Sequence, residues 1–383
     1  MGFSKNLKKA FVKPIKAIDN KVIPIVNKIN THLDAWFPQE KYNWRKIAIG
    51  WAAIQAVVIT ALEIYVTLKN NDKIEQIYNF HKGSNDSTKL SLLSGTDSLA
   101  VYHMIFIVAQ FFQLYLICDT ITKSSTLQLI PGTIFSLGMG VYSIVQYIQA
   151  NRGIKNEKLV QEYLEQKRDK LSDLRKGKWA EIVIIILMGI FCFGWIIITL
   201  RLYKNFGWNV FKQLGADIGV KNRLKLYQIL LALLKIDIFF FTAFTIQFAI
   251  FVITNIKDGI TIKIINIILL GLNFIMPFIG FIATKKENYV YMTLFIVLLS
   301  ISLGYMVFNL FDILVDIHKN NNCNKNGEIC ERTYRDCSVS LSMACISSII
   351  VGIITFVLAL INFKNFPKGL KKDKTKRMLP LIL

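Results

Sequence analysis

Residues 179–200 read WAEIVIIILMGIFCFGWIIITL, with Glu181 the single charged residue in the run. The apolar residues neither alternate nor recur along one face; they fill the segment. A helix of about 20 such residues crosses a bilayer core, whereas the strands of a membrane barrel would alternate apolar and polar positions. Seven more blocks of the same kind occur, at about 47–68, 98–121, 127–150, 226–254, 261–283, 288–315 and 339–362. The fold class is therefore all-α: a polytopic integral membrane bundle of about eight transmembrane helices. A single soluble enzyme domain and a β-barrel are both excluded.

The composition agrees. Of 383 residues 53% are hydrophobic, and Phe alone accounts for 27. Lys and Arg number 46 against 25 Asp and Glu, a formal net charge of +21 confined to the minority of the chain outside the bilayer. Because these cations flank the spans, the expected partners are the bilayer and anionic lipids at the cytoplasmic face, not nucleic acid. The first apolar block starts near Ile47, so no cleavable signal peptide is expected and span 1 itself directs insertion.

The sequence divides into a basic amphipathic tail at 1–46, an eight-span domain at 47–362 and a basic tail at 363–383. Placing both tails on the same side as the second, fourth and sixth connections gathers 26 Lys and Arg there, against 18 opposite. The positive-inside rule makes that richer side cytoplasmic. The segment 151–178 is the misfit, with nine basic residues on the wrong side, although its acids reduce it to +4. Pro131, Gly132, Gly138 and Gly140 in span 3 leave a re-entrant reading open; eight full crossings are the expectation.

This threading makes two loops lumenal. Asn85-Asp86-Ser87 is a glycosylation sequon in the first of them. Cys323, Cys330 and Cys337 are evenly spaced in 317–338, and in an oxidising lumen two of the three are expected to be bridged. No second Cys/His cluster accompanies them, so neither metal nor any other cofactor is expected.

In the first tail Leu7, Phe11, Ile15, Ile18, Val22, Ile25 and Ile29 step by three and four residues, with most lysines off that face. Such a helix, kinked at Pro14 and Pro24, either lies on an anionic membrane surface or packs on the protein's own spans.

Ionisable residues inside the spans are functional candidates because burying them is costly. Span 7 carries Ser302, Tyr305, Asn309, Asp312 and Asp316 in steps of three and four; spans 1 and 2 contribute Glu63 and His103. Turned inward at similar depth, these would line a lumen-facing cavity; as residues near helix ends they would instead reach the interface. Lys235 and Asp237 in span 5 are two residues apart and point to nearly opposite faces, so they do not neutralise each other. Asp119, near the cytoplasmic end of span 2, is the candidate partner for Lys235. Phosphate loops, HExxH pairs and GxSxG turns are absent from the sequence, which makes an enzyme the third reading without eliminating it.

Two stretches carry a family resemblance. One is Trp36-Phe37-Pro38, continuing through Trp44 to Ile54-Gln55-Ala56 and Ala61-Leu62-Glu63. The other runs from Trp208-Asn209-Val210-Phe211-Lys212-Gln213 through Leu214-Gly215-Ala216-Asp217 and Tyr227-Gln228 to Leu234-Lys235-Ile236-Asp237 and Phe239–Phe241. Together they resemble a family of fungal multi-pass Golgi apparatus membrane proteins. The resemblance implies Golgi residence and an all-helical fold, and it brings no catalytic residues. From the residues themselves, a carrier or channel for a small polar solute is the first functional reading. The alternative is a receptor-like or trafficking scaffold without transport or catalysis.

Overall fold

A computed structural model describes residues 43–80, 86–123, 125–156, 178–213, 218–254, 260–326 and 338–366, together with Lys28 and Thr31. Most of both tails, Asn85, most of 151–178 and the cysteines Cys330 and Cys337 lie outside these residues. Eight helices follow one another: α1 (Trp44–Phe80), α2 (Asp86–Thr122), α3 (Thr126–Asn156), α4 (Lys178–Gln213), α5 (Ile218–Thr254), α6 (Ile260–Lys286), α7 (Tyr289–Asn326) and α8 (Ser338–Asn365). All eight contain a stretch long and apolar enough to cross a membrane, and no strand occurs among the described residues. The all-helical, eight-helix expectation is met. Span 3 is one continuous helix through Pro131, which sits near its start, where few backbone bonds are lost.

The helices pack as two rings of four. In the first, α1 contacts α2, α2 contacts α3, α3 contacts α4, and α4 closes back on α1. In the second, α5, α6, α7 and α8 follow each other around in the same cyclic order. The rings meet where α5 lies against α2 and α3, and where α8 touches α3. Every helix except α5 presents large apolar side chains outward, such as Val57, Phe193, Val290 and Phe311. Helix α5 contributes no such exposed side chain among the described residues. It is the central helix, and the outward apolar surface of the others suits contact with lipid tails.

An aromatic seam explains how α5 serves both rings. Phe239 stacks on Phe112 of α2 with centroids 5.2 Å apart and meets the edge of Phe135 of α3 at 5.0 Å. From the opposite side of α5, Phe241, Phe244 and Phe248 point into the second ring, where they pack with Met276, Phe295, Leu299 and Met306. Close approach around this core depends on missing side chains. A Cβ on Gly280 of α6 would sit 2.8 Å from Leu234 and Phe295, and one on Gly352 of α8 would sit 2.8 Å from Leu303 and 2.9 Å from Phe241. Small residues at such positions let membrane helices approach closely.

The connection between α6 and α7 is tight. Glu287 takes a left-handed φ of 52°, and the N–H of Asn288 reaches back to the Ala283 carbonyl at 3.2 Å. That is the bond that closes a helix whose next residue turns left-handed. The Asn288 side chain then caps α7 by accepting from the N–H of Val290 at 2.9 Å.

Candidate intramembrane polar site

The first ring encloses two polar layers. In one, the indole N–H of Trp195 on α4 donates to Gln55 Oε1 on α1 at 2.7 Å, and Gln55 Nε2 donates to Gln110 Oε1 on α2 at 2.9 Å. Gln113, one turn further along α2, is also buried, and neither of its amide atoms has a partner among the described residues.

The second layer lies eight residues further along α1, about 12 Å at the rise of an α-helix. Here the sequence candidates Glu63 and His103 come together. His103 Nδ1 and Glu63 Oε2 are 2.6 Å apart, with both side chains 2% exposed or less. Gln146 of α3 donates from Nε2 to the same carboxylate oxygen at 3.1 Å and also lies against His103 Nδ1. Asn70 Nδ2 approaches His103 Nε2 at 3.4 Å. With Asn70 donating to Nε2, the proton of a neutral imidazole sits on Nδ1 and is given to Glu63. Three helices therefore converge on one carboxylate inside the ring. The apolar wall beside them includes Phe106, which stacks on Tyr142 at 5.6 Å.

The second ring has a smaller, uncharged cluster. Asn273 of α6 donates to Thr245 Oγ1 of α5 at 2.7 Å and accepts from Ser302 Oγ of α7 at 2.7 Å. Pro277 lies four residues after Asn273 inside α6 and lacks the N–H that would reach the Asn273 carbonyl. Asn309 is buried two turns along α7, and its Nδ2 has no partner among the described residues. Asp312 belongs to the same sequence stripe but is exposed on the outer surface of the bundle. The buried face of α7 is Ser302, Met306, Asn309 and Ile313, and Asp312 falls to one side of it.

Lys235 and Asp119 form an ion pair between α5 and α2. Lys235 Nζ also donates to Gln128 Oε1 at 3.1 Å, and the other Asp119 oxygen accepts from Lys123 at 2.6 Å. All of these acceptors lie at or near the short turn joining α2 to α3. Asp237 is on a different face of α5, fully buried, against Thr355 of α8. Cys323 falls within the last turns of α7, but its side chain is not among those described.

Sequence reasoning singled out neither Asn70 nor Gln146, nor the buried polar stripe Ser340, Ser348, Thr355 and Asn362 of α8. Their signal was available: each is a polar residue in or beside an otherwise apolar block. Single amides and hydroxyls in a span are common, however, and which ones point inward depends on helix rotation.

These features define a polytopic α-helical membrane protein with the ionisable side chains Glu63, His103, Lys235 and Asp237 turned into the protein interior. The chain is similar to a UPF0658 Golgi apparatus membrane protein of Schizosaccharomyces pombe, with 20% identity over 299 residues that cover 73% of this chain and 79% of the relative. The resemblance to Golgi apparatus membrane proteins carried by the two motif stretches is borne out by this match. No family model matches the chain, and no solved structure matches it.

Proposed function

We propose that this protein resides in Golgi membranes and is a carrier or channel for a small polar solute. The observation that carries the reading is the layer in which Glu63, His103, Gln146 and Asn70 converge inside the first ring. Ionisable groups buried within a membrane bundle are costly and commonly mark solute pathways, ion pathways or proton relays. Gln113 adds an amide with unmet hydrogen-bonding capacity in the same ring, a feature that a purely structural bundle tends to avoid. The similar Golgi apparatus membrane protein supports the location, and the alternation of basic loops supports tails that face the cytoplasm and its anionic lipids.

The test is reconstitution of the full chain into liposomes, followed by swelling measurements with a panel of sugars, polyols and amino acids. Faster swelling than in empty liposomes for at least one solute, reduced by Glu63→Gln, is the expected result. Swelling equal to that of empty liposomes for every solute refutes the reading and leaves the trafficking scaffold.

A further inference from the structure

Among the described residues, Asp237 is the one fully buried carboxylate that the polar layers leave unexplained. It sits near the middle of the Arg223–Ile250 span, 0% exposed, and neither carboxylate oxygen has a hydrogen-bond partner among the described residues. Its position is the junction of the rings. The neighbouring Ile236, Phe239 and Phe240 pack into the first ring, while Leu234 and Phe241 pack into the second.

Helix α8 runs alongside and is tied to α5 on both sides of the acid. Asn362 Nδ2 donates to the Leu226 carbonyl at 3.4 Å, and Ser348 Oγ donates to the Phe240 carbonyl at 3.0 Å. Between these ties, Thr355 Oγ1 faces the Asp237 carboxyl without hydrogen-bond geometry and has no other partner among the described residues. Three buried oxygens therefore face one another, and the single Thr355 hydroxyl is the one side-chain donor set against two carboxylate oxygens among the described residues.

Among the described residues no cation is placed to balance a charge there. Lys235 is turned to Asp119 and Gln128. On the other helices packed against α5, His103 of α2 is held by Glu63, and Asp119 is shared by two lysines. Lys285 of α6 lies over Phe281, and Lys364 is in the last turn of α8, far along the helix from Thr355. Tyr142 of α3 stacks on Phe106, and the Cys345 thiol of α8 donates to the Met306 carbonyl. An ionised carboxylate enclosed by phenylalanines without a partner is prohibitively costly, whereas a neutral carboxyl supplies an O–H that Thr355 can accept. A sodium ion fits less well, because the α5 backbone carbonyls are committed to the helix and leave too few oxygen ligands.

We propose that Asp237 is a proton-binding site at the junction of the two rings: it holds a proton while α5 and α8 are packed, and loss of that proton to water loosens their contact. The site is independent of the transport reading, because its occupancy is read on the carboxyl itself whether or not any solute moves.

The experiment uses the full chain in detergent, treated with dicyclohexylcarbodiimide; a protonated carboxyl in apolar surroundings gives its proton to the reagent's nitrogen, adds through oxygen to its central carbon and rearranges to a stable N-acylurea detectable by peptide mass. The expected result is a label on Asp237 at acidic and neutral pH that disappears as pH rises, with no label at that position in Asp237→Asn. In parallel, the melting temperature of the wild type falls as pH rises more than that of Asp237→Asn, because only the wild type acquires an unpaired charge. Because the reagent itself needs access, the infrared difference between wild type and Asp237→Asn in heavy water supplies a second reading. Loss of a protonated-carboxyl C=O band in the variant is expected. Absence of both the label and that band at every pH overturns the proposal. Protection from labelling by sodium at fixed pH also overturns it, in favour of a metal cation.

Discussion

Lys235 of α5 and Asp119 of α2 form an ion pair that joins the two four-helix rings. Lysine Cα–Cβ bonds tilt toward the start of a helix, which carries the long Lys235 side chain away from mid-span toward the α2–α3 turn. There it finds Asp119 and Gln128 together. The pair is unequal in its dependence. Asp119 retains Lys123 at 2.6 Å if Lys235 is removed, whereas Lys235, 7% exposed, keeps only the Gln128 amide oxygen if Asp119 is neutralised.

That asymmetry sets the first prediction. Lys235→Met should cost about 1.5–3 kcal/mol, the value of a hydrogen bond to a charged group. Asp119→Asn should cost more, toward the 3–5 kcal/mol typical of stranding a buried charge. A double-mutant cycle scored by thermal unfolding in detergent should show coupling above about 0.5 kcal/mol. Additive effects would mean that the pair does not join the rings.

A second prediction concerns the layer in the first ring. Glu63→Ala strands two buried donors, His103 Nδ1–H and the Gln146 amide. Each stranded donor costs about 1–3 kcal/mol, so the loss should be large enough to read as a clear fall in melting temperature. Glu63→Gln keeps an acceptor for His103 and should lose less. Equal losses for the two substitutions would show that the carboxylate is not what holds the three helices together.

Glycines provide a third, purely steric test. Gly280→Ala and Gly352→Ala push a methyl to 2.8 Å from packed Leu and Phe side chains. Overpacking of that kind costs about 1–3 kcal/mol. At Gly304 nothing lies within 4 Å of the added Cβ, so Gly304→Ala should be neutral or stabilising by up to about 1 kcal/mol. Thermal unfolding of the three variants in one detergent checks the order; a Gly304→Ala protein as unstable as the others would contradict the helix packing.

The fourth prediction addresses threading. The expected threading has eight crossings with both tails on the side richer in basic residues, which the positive-inside rule reads as cytoplasmic. Glycosylation mapping should modify a site in 69–97 and spare sites introduced into either tail. Non-reducing peptide mapping should find two of Cys323, Cys330 and Cys337 bridged. A glycan on a tail, or three free thiols, would reverse the assignment of sides.

The sequence by itself determined the class of protein and the number of its helices, because crossing a bilayer demands long apolar runs that no neighbouring helix can alter. It also determined that Lys235 and Asp237 do not pair, since helix geometry sends positions two apart to different faces. Which inward-facing groups meet was decided only in the tertiary structure. Glu63, His103 and Gln146 are 40 and 43 residues apart along the chain, and they converge because α1, α2 and α3 are consecutive members of one ring. Asp312 was indistinguishable from Asn309 by spacing, yet a small difference in angle about α7 leaves one buried and the other exposed. The two-ring plan itself was invisible in the residue pattern, because lipid and protein interior are equally apolar. In a membrane, hydrophobicity marks where a helix lies in depth, while the choice of neighbours rests on glycine contacts, aromatic packing and a few polar bonds.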